Sequence, residues 1–167
     1  MKKLISTLLS FLFVFTLLGQ FEKGKTMIGG EGALIHVSLG GFNSTALGLL
    51  PSYGYAVSDG LFLGSDLFFT TGEGTQFGLT PFLRKYFTQS EKGGFFGELS
   101  GGFVTGDNFT TGVISPSVGY TILAGSNLMI DLGLNYERNF NSDLNIFSLG
   151  FGIRGLLGKS NTDQSGN

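Results

Sequence analysis

From Leu47 onward, large apolar residues and small or charged residues occupy opposite parities of the chain, segment after segment. In the run Leu128-Met129-Ile130-Asp131-Leu132-Gly133-Leu134-Asn135-Tyr136, the residues Leu128, Ile130, Leu132, Leu134 and Tyr136 share one face of a strand. Met129, Asp131, Gly133 and Asn135 share the other, because strand side chains alternate. A soluble sandwich alternates too, but its polar side is a wet surface usually rich in Lys and Glu. Here the polar side is mostly Gly and Ser with isolated charges. That composition suits a narrow, crowded lumen and turns the apolar side outward. An outward apolar face on every strand needs lipid around it.

Composition narrows the class further. The 167 residues suffice for one domain, and 29 Gly with 18 Phe and only 13% charged residues argue for an all-β chain. Three Pro are too few for a Pro/Gly linker protein, and Cys and Trp are absent. Residues 1–20 read as a cleaved export signal. Lys2 and Lys3 form its basic start, Leu4 to Leu18 its apolar run, and Gly19 a small residue before Gln20. Leu17 at −3 fits the small-residue rule poorly, which leaves the cut position open. The alternative is a membrane anchor, but the run is short of the ~20 residues a spanning helix needs. Without a Cys at the junction, a lipid-modified N-terminus is excluded. Removing Lys2 and Lys3 from ten basic residues leaves eight against twelve acidic, a formal charge of −4. No basic residue lies between Lys25 and Arg84, so there is no electrostatic footprint for nucleic acid.

Strands are predicted at 26–37, 44–57, 60–71, 75–87, 94–105, 110–122, 127–138 and 144–156. Each exceeds the ~9–11 residues a tilted membrane strand requires. Turn residues separate them, from Ser58-Asp59-Gly60 and Ala124-Gly125-Ser126 to Gly72-Glu73-Gly74 and Gly106-Asp107-Asn108. An even strand number puts both termini on one side, and the remaining short loops on the other. The domain plan is a signal at 1–20, a barrel at 21–157 and a polar tail at 158–167. A weak repeat, Pro-Ser-x-Gly-Tyr, occurs at Pro51 to Tyr55 and Pro116 to Tyr120, and Pro81 is the third strand proline. Proline costs a ladder bond, so bulges or irregular pairing are expected at Pro51, Pro81 and Pro116.

Parity assigns Tyr53, Leu63, Leu83, Leu99, Val118, Leu132, Leu149 and their alternates to lipid. Tyr55, Phe87, Phe95, Tyr120 and Tyr136 near strand ends form an interfacial girdle. Lys85 and Arg138 share outward parity but sit near strand ends. Parity assigns Asp66, Arg84, Glu98, Asp131 and Arg154 to the interior, among many Gly. The first strand is ambiguous: Glu31 places Met27, Ala33, Ile35 and Val37 inside with it, and that parity is the more apolar. Folding about 88–93 sets Arg84 opposite Glu98, and folding about 139–143 brings Arg154 within a diagonal step of Asp131. Buried charges must be paired. A structural network is therefore expected, centred on Arg84 and Arg154 with Glu31, Asp66, Glu98 and Asp131 as partners. Four acids facing two bases require water or a proton. The same cluster could line a conduction path, but eight strands leave an interior just wide enough for side chains, which favours a plug.

Other chemistry lacks material. His36 followed by Ser38 has no Asp or Glu between Gly32 and Val57 to orient it, so no catalytic residue is assigned. One His, no Cys and singly scattered carboxylates give no metal site, and no cofactor is expected. The Gly pairs are followed by no helix and are not phosphate loops.

The signal, the opening Lys25-Thr26-Met27-Ile28-Gly29-Gly30, both Pro-Ser-x-Gly-Tyr strands and the alternating Phe147-Ser148-Leu149-Gly150-Phe151-Gly152-Ile153 carry a resemblance. Together, across residues 25–157, they resemble the small outer-membrane β-barrels of Gram-negative bacteria, the OmpA/OmpX-like or porin-family type. The resemblance implies an eight-stranded antiparallel up-and-down transmembrane barrel in the cell outer membrane. Its partners would be outer-membrane lipid, lipopolysaccharide and, during biogenesis, the barrel-assembly machinery. Such barrels commonly end on an aromatic residue, whereas this chain runs on through Leu156, Leu157 and a polar tail. The expected role is non-enzymatic: envelope structure or surface interaction around a plugged interior. The alternatives are a small porin-like channel, a lipid A-modifying barrel enzyme, or a secreted lipocalin-like binder with its faces reversed.

Overall fold

A computed structural model describes residues 21–39, 42–71, 75–107, 109–141 and 145–158. The expected signal at 1–20 and the tail from Lys159 onward lie outside the described residues, as do the side chains of His36, Ser38, Leu47 and Leu49. The strands in chain order are β1 (Thr26–Leu39), β2 (Phe42–Ser58), β3 (Leu61–Thr71), β4 (Thr75–Tyr86), β5 (Gly93–Gly106), β6 (Phe109–Ala124), β7 (Leu128–Asn139) and β8 (Asn145–Leu157). Each pairs antiparallel with its sequence neighbours, and β1 pairs with β8. The result is a closed up-and-down barrel. Residues 21–25 and Leu157 lie at one end, here the terminal end; the loops after β1, β3, β5 and β7 form the distal end.

Two terminal-end hairpins turn on glycines with left-handed φ, Gly60 at 67° and Gly125 at 78°. L-residues other than Gly rarely adopt that region, so the chain reverses there at little cost.

The wall separates the two chemistries. Ile28, Tyr53, Leu63, Leu83, Leu99, Leu132 and Ile153 are exposed, whereas Phe62, Phe82, Arg84, Asp131 and Arg154 are buried. The centre therefore holds guanidinium groups and not the Leu/Phe rows, which removes the reversed lipocalin-like arrangement. On β1, Met27 is buried while Ile28 is exposed, so the Glu31 parity points inward through that part of the strand. Ring pairs near strand ends join neighbouring strands: Phe95 meets Tyr120 edge-on at 4.7 Å, and Tyr136 lies 4.9 Å from Phe147.

Two features depart from a uniform ladder. Of the bulges or irregular pairing expected at the prolines, irregular pairing is what occurs; among the described residues the register shift falls elsewhere, between Ala56 and Ser58. At each proline the pairing lapses on one side only and resumes in the same register. It passes from Leu49↔Phe69 to Ser52↔Asp66, from Leu79↔Phe103 to Phe82↔Ser100, and from Ile114↔Arg138 to Ser117↔Asn135. A missing donor can thus be absorbed by a local gap, because the intact ladder on the other side fixes the register. The second departure is at the closing seam. β1 and β8 pair from Thr26↔Leu157 to Gly32↔Phe151 and no further among the described residues. The same register would set Ala33–Ser38 against Gly150–Asn145, yet those segments pair only with β2 and β7 respectively.

Candidate functional site

Inward parity on seven strands delivers polar side chains to one level of the lumen. Arg84 on β4 faces Glu98 on β5 in register, and its Nε donates to Glu98 Oε2 at 2.6 Å. Across the lumen, Arg84 Nη1 donates to Asp131 Oδ2 at 2.6 Å. The same Oδ2 accepts from Arg154 Nη1. Arg154 Nη2 donates to Glu31 Oε1 at 2.5 Å, and Arg84 Nη2 lies 3.6 Å from that oxygen. Two guanidiniums are therefore bridged twice, by Asp131 and by Glu31. Arg84 and Arg154 are 0% and 1% exposed. Charges so buried persist only when paired and hydrogen-bonded.

Neutral groups complete the network. Arg154 Nε donates to Ser52 Oγ at 3.0 Å. Thr121 Oγ1 donates to Asp131 Oδ1 at 2.5 Å, and the Tyr86 hydroxyl lies 3.0 Å from Thr121 Oγ1. The Arg84 guanidinium sits over the Phe96 ring, 4.1 Å from its centroid, a cation–π contact.

Of the six interior residues expected to meet, Glu31, Arg84, Glu98, Asp131 and Arg154 are in direct contact. Asp66 is not in this set. It is 7% exposed, and its Oδ1 has no hydrogen-bond partner among the described residues. It lines a cavity of about 70 Å³ together with Glu31, Glu98, Asp131 and Glu137. The cavity also reaches Val104 and Val113, so it extends from the arginine layer toward the distal end.

On the terminal side the lumen is closed by apolar groups. Phe21 stacks on Tyr86 at 3.8 Å and meets Phe62 edge-on at 6.4 Å. Met27, Ala56, Phe82, Leu123, Met129 and Leu156 fill the same layer. Backbone bonds fix the segment before β1 in place: Gly60 N donates to Phe21 O at 2.7 Å, and Gly24 N to Ala56 O at 2.9 Å. Sequence reading missed this aromatic layer and the roles of Ser52, Thr121 and Phe96. A signal for the rings existed in the glycines. Gly54, Gly64 and Phe82 lie in one register row, and a Cβ on Gly64 would meet the Phe82 ring at 2.3 Å. Phe96, Gly119, Gly133 and Gly150 form another row, with a Gly119 Cβ 2.6 Å from the Phe96 ring. Each inner ring lies flat where its row neighbours lack side chains.

Among the described residues no group of three or more His, Cys, Asp or Glu is arranged to hold a metal ion.

No family model matches the chain, and no curated protein matches it. Solved structures do. The N-terminal β-barrel domain of Pseudomonas aeruginosa OprF matches over 81% of this chain and 98% of its own, at 12% identity and a TM-score of 0.57. Ail, the attachment invasion locus protein of Yersinia pestis, matches over 81% and 99%, at 15% identity and a TM-score of 0.56. A de novo designed transmembrane β-barrel matches over 84% and 100%, at 17% identity and a TM-score of 0.54. What is shared at these identities is the fold.

Proposed function

We propose that this chain is an integral β-barrel of the outer membrane, exported through a cleaved signal, with a structural or surface-interaction role and a lumen that does not conduct. The observation that carries this reading is the doubly bridged pair Arg84 and Arg154, buried across the lumen above the Phe21–Tyr86–Phe62 layer. An ion crossing the barrel would have to separate those pairs and then pass an apolar layer. The outward Leu and Phe rows supply the lipid contact, and the shared fold with small outer-membrane barrels supports the location. Its partners on this reading are outer-membrane lipid and lipopolysaccharide, with the barrel-assembly machinery acting during insertion. Activity as an enzyme plays no part in it.

The test is reconstitution of the whole chain. Unboiled protein from the membrane fraction should migrate differently from boiled protein on a gel. In planar bilayers it should give no discrete conductance steps. Reproducible steps from wild-type protein would reject the closed lumen and favour the small channel. Recovery in the soluble fraction without detergent would reject the membrane location.

A further inference from the structure

The cavity beside the arginine layer is lined by five carboxylates, Glu31, Asp66, Glu98, Asp131 and Glu137, while the lumen holds two guanidiniums. Those guanidiniums are engaged by Glu31, Glu98 and Asp131. Asp66 and Glu137 remain; Glu137 is half-buried, whereas Asp66 is buried, with its Oδ1 unpartnered among the described residues. A carboxylate removed from water costs several kcal/mol unless a cation or donor meets it. A proton can meet that need, and so can a positive group, for which the cavity has room. Metal-site geometry is absent among the described residues, which favours a cation with no strict coordination demand. An ammonium is such a group: a point charge with three rotatable donors. About 70 Å³ holds an ammonium head and a water or two, but not a large molecule.

The open seam supplies the second half of the argument. Glu31 and Gly150 line the cavity, and they flank the last rung, Gly32↔Phe151. The Glu31 side chain is 28% exposed, against 9% or less for every other ion-paired member of the network. The cavity therefore borders the side of the barrel where the described wall lacks its rungs. Unpaired backbone groups are tolerated at membrane depth only where they are buried in protein or line a water-filled cavity. On the outer side of that edge stand Phe147 and Leu149, 81% and 74% exposed.

We infer that the distal half of the β1–β8 seam is a lateral portal, through which a primary-amine amphiphile seats its ammonium beside Asp66 and leaves its hydrocarbon chain in lipid along Phe147 and Leu149. The inference rests on the barrel being embedded in a bilayer. It is independent of whether the lumen conducts.

The experiment uses the whole barrel in lipid nanodiscs. Binding is followed by NMR shifts of amides lining the cavity, such as Ser100, Ser117 and Gly133. Dodecylammonium, butylammonium and uncharged dodecanol are the probes. Dodecylammonium should give saturable shifts and dodecanol none. D66N should weaken dodecylammonium binding about tenfold or more, the scale of one charge-assisted hydrogen bond. Asp66 makes no side-chain ion pair among the described residues, so D66N should retain the fold, which heat-modifiable mobility checks. A L34C/L149C variant joins positions that an extended register would oppose; the chain has no other Cys. Closing it with a disulfide or a short thiol cross-linker should abolish dodecylammonium binding and leave butylammonium binding, because the short amine has no long chain to leave in lipid. Reducing the disulfide should restore binding. Equal dodecylammonium binding by D66N overturns the head-group site. Equal binding by the cross-linked and open forms overturns the portal. Shifts with dodecanol as large as with dodecylammonium reduce the effect to acyl packing and overturn both. Failure of the barrel to insert at all would instead overturn the membrane location proposed above.

Discussion

Asp131 is the residue on which the lumen turns. Its Oδ2 meets both guanidiniums and its Oδ1 meets Thr121, so one carboxylate ties β4, β6 and β8 to β7. Removing either arginine leaves carboxylates buried without their partner. R84L or R154L should therefore cost about 3–5 kcal/mol, read from urea unfolding of the barrel in detergent or lipid. Lysine at either position should rescue little, because a single ammonium cannot reach two or three acceptors as the guanidinium fork does. The double change R84L/E98L should cost less than the sum of the two single changes, because both charges of that pair leave together. Asp66 provides the contrast. D66N changes a buried carboxyl whose Oδ1 has no hydrogen-bond partner among the described residues, so stability should hold or rise in the same assay. Parity alone assigns five of the six charged residues to the interior, Glu31 being placed there by its own charge on a strand of ambiguous facing, and hairpin folding sets Arg84 beside Glu98 and Arg154 a diagonal step from Asp131. The rest was not legible. Whether Arg154 meets Glu31, and whether Asp66 meets anything, depends on stagger around the closed sheet and on contacts across the lumen, which no local pattern encodes.

At the scale of strands, the period of 2 and the turn residues located all eight elements, because each strand carries its own signal. Prolines 51, 81 and 116 predict bulges or irregular pairing, and local sequence does not decide between the two. The barrel leaves a two-residue gap on one side of each, held in register by the neighbour on the other side. The inner aromatic residues were hidden for another reason. Phe62, Phe82 and Phe96 fall on the polar parity, and the rings of Phe82 and Phe96 need glycine on adjacent strands rather than an apolar run. This makes individual glycines structural. A Cβ on Gly64 would lie 2.2 Å from Tyr53 O and 2.3 Å from the Phe82 ring. G64A should destabilise the barrel by about 1–3 kcal/mol, the usual cost of overpacking. At Gly101 the nearest atom to an added Cβ is Val113 O at 3.5 Å, an ordinary contact. G101A should therefore change the unfolding midpoint little. Equal effects at the two sites would mean that glycine's missing side chain matters less than its backbone freedom.

For the molecule as a whole, the question is which medium the outer surface was built for. Apolar rows exposed around a barrel are unfavourable in water, since burial of the apolar layer at the terminal end of the lumen still leaves the outer Leu and Phe side chains in solvent. In lipid the rows meet acyl chains, and the paired strands leave few backbone groups unmet. The depth of a residue along its strand then decides what a charge costs there. Leu132 stands on the outward face of β7, opposite Tyr120 and Phe151, well inside the strand. L132R should cost about 2–4 kcal/mol in folding from urea into vesicles, because its guanidinium would lie near the bilayer midplane. Phe95 is also outward but sits within three residues of the terminal end of β5, packed on Tyr120. F95R should cost about 0–1 kcal/mol for the charge itself, since headgroups are within reach, plus the lost ring contact of about 0.5–1.5 kcal/mol. F95A measures that second contribution alone and allows its subtraction. A corrected cost that is larger at Leu132 than at Phe95 follows from a depth-dependent apolar medium. Equal corrected costs would place both residues in the same solvent, and the outward rows would then need a protein partner rather than a bilayer to cover them.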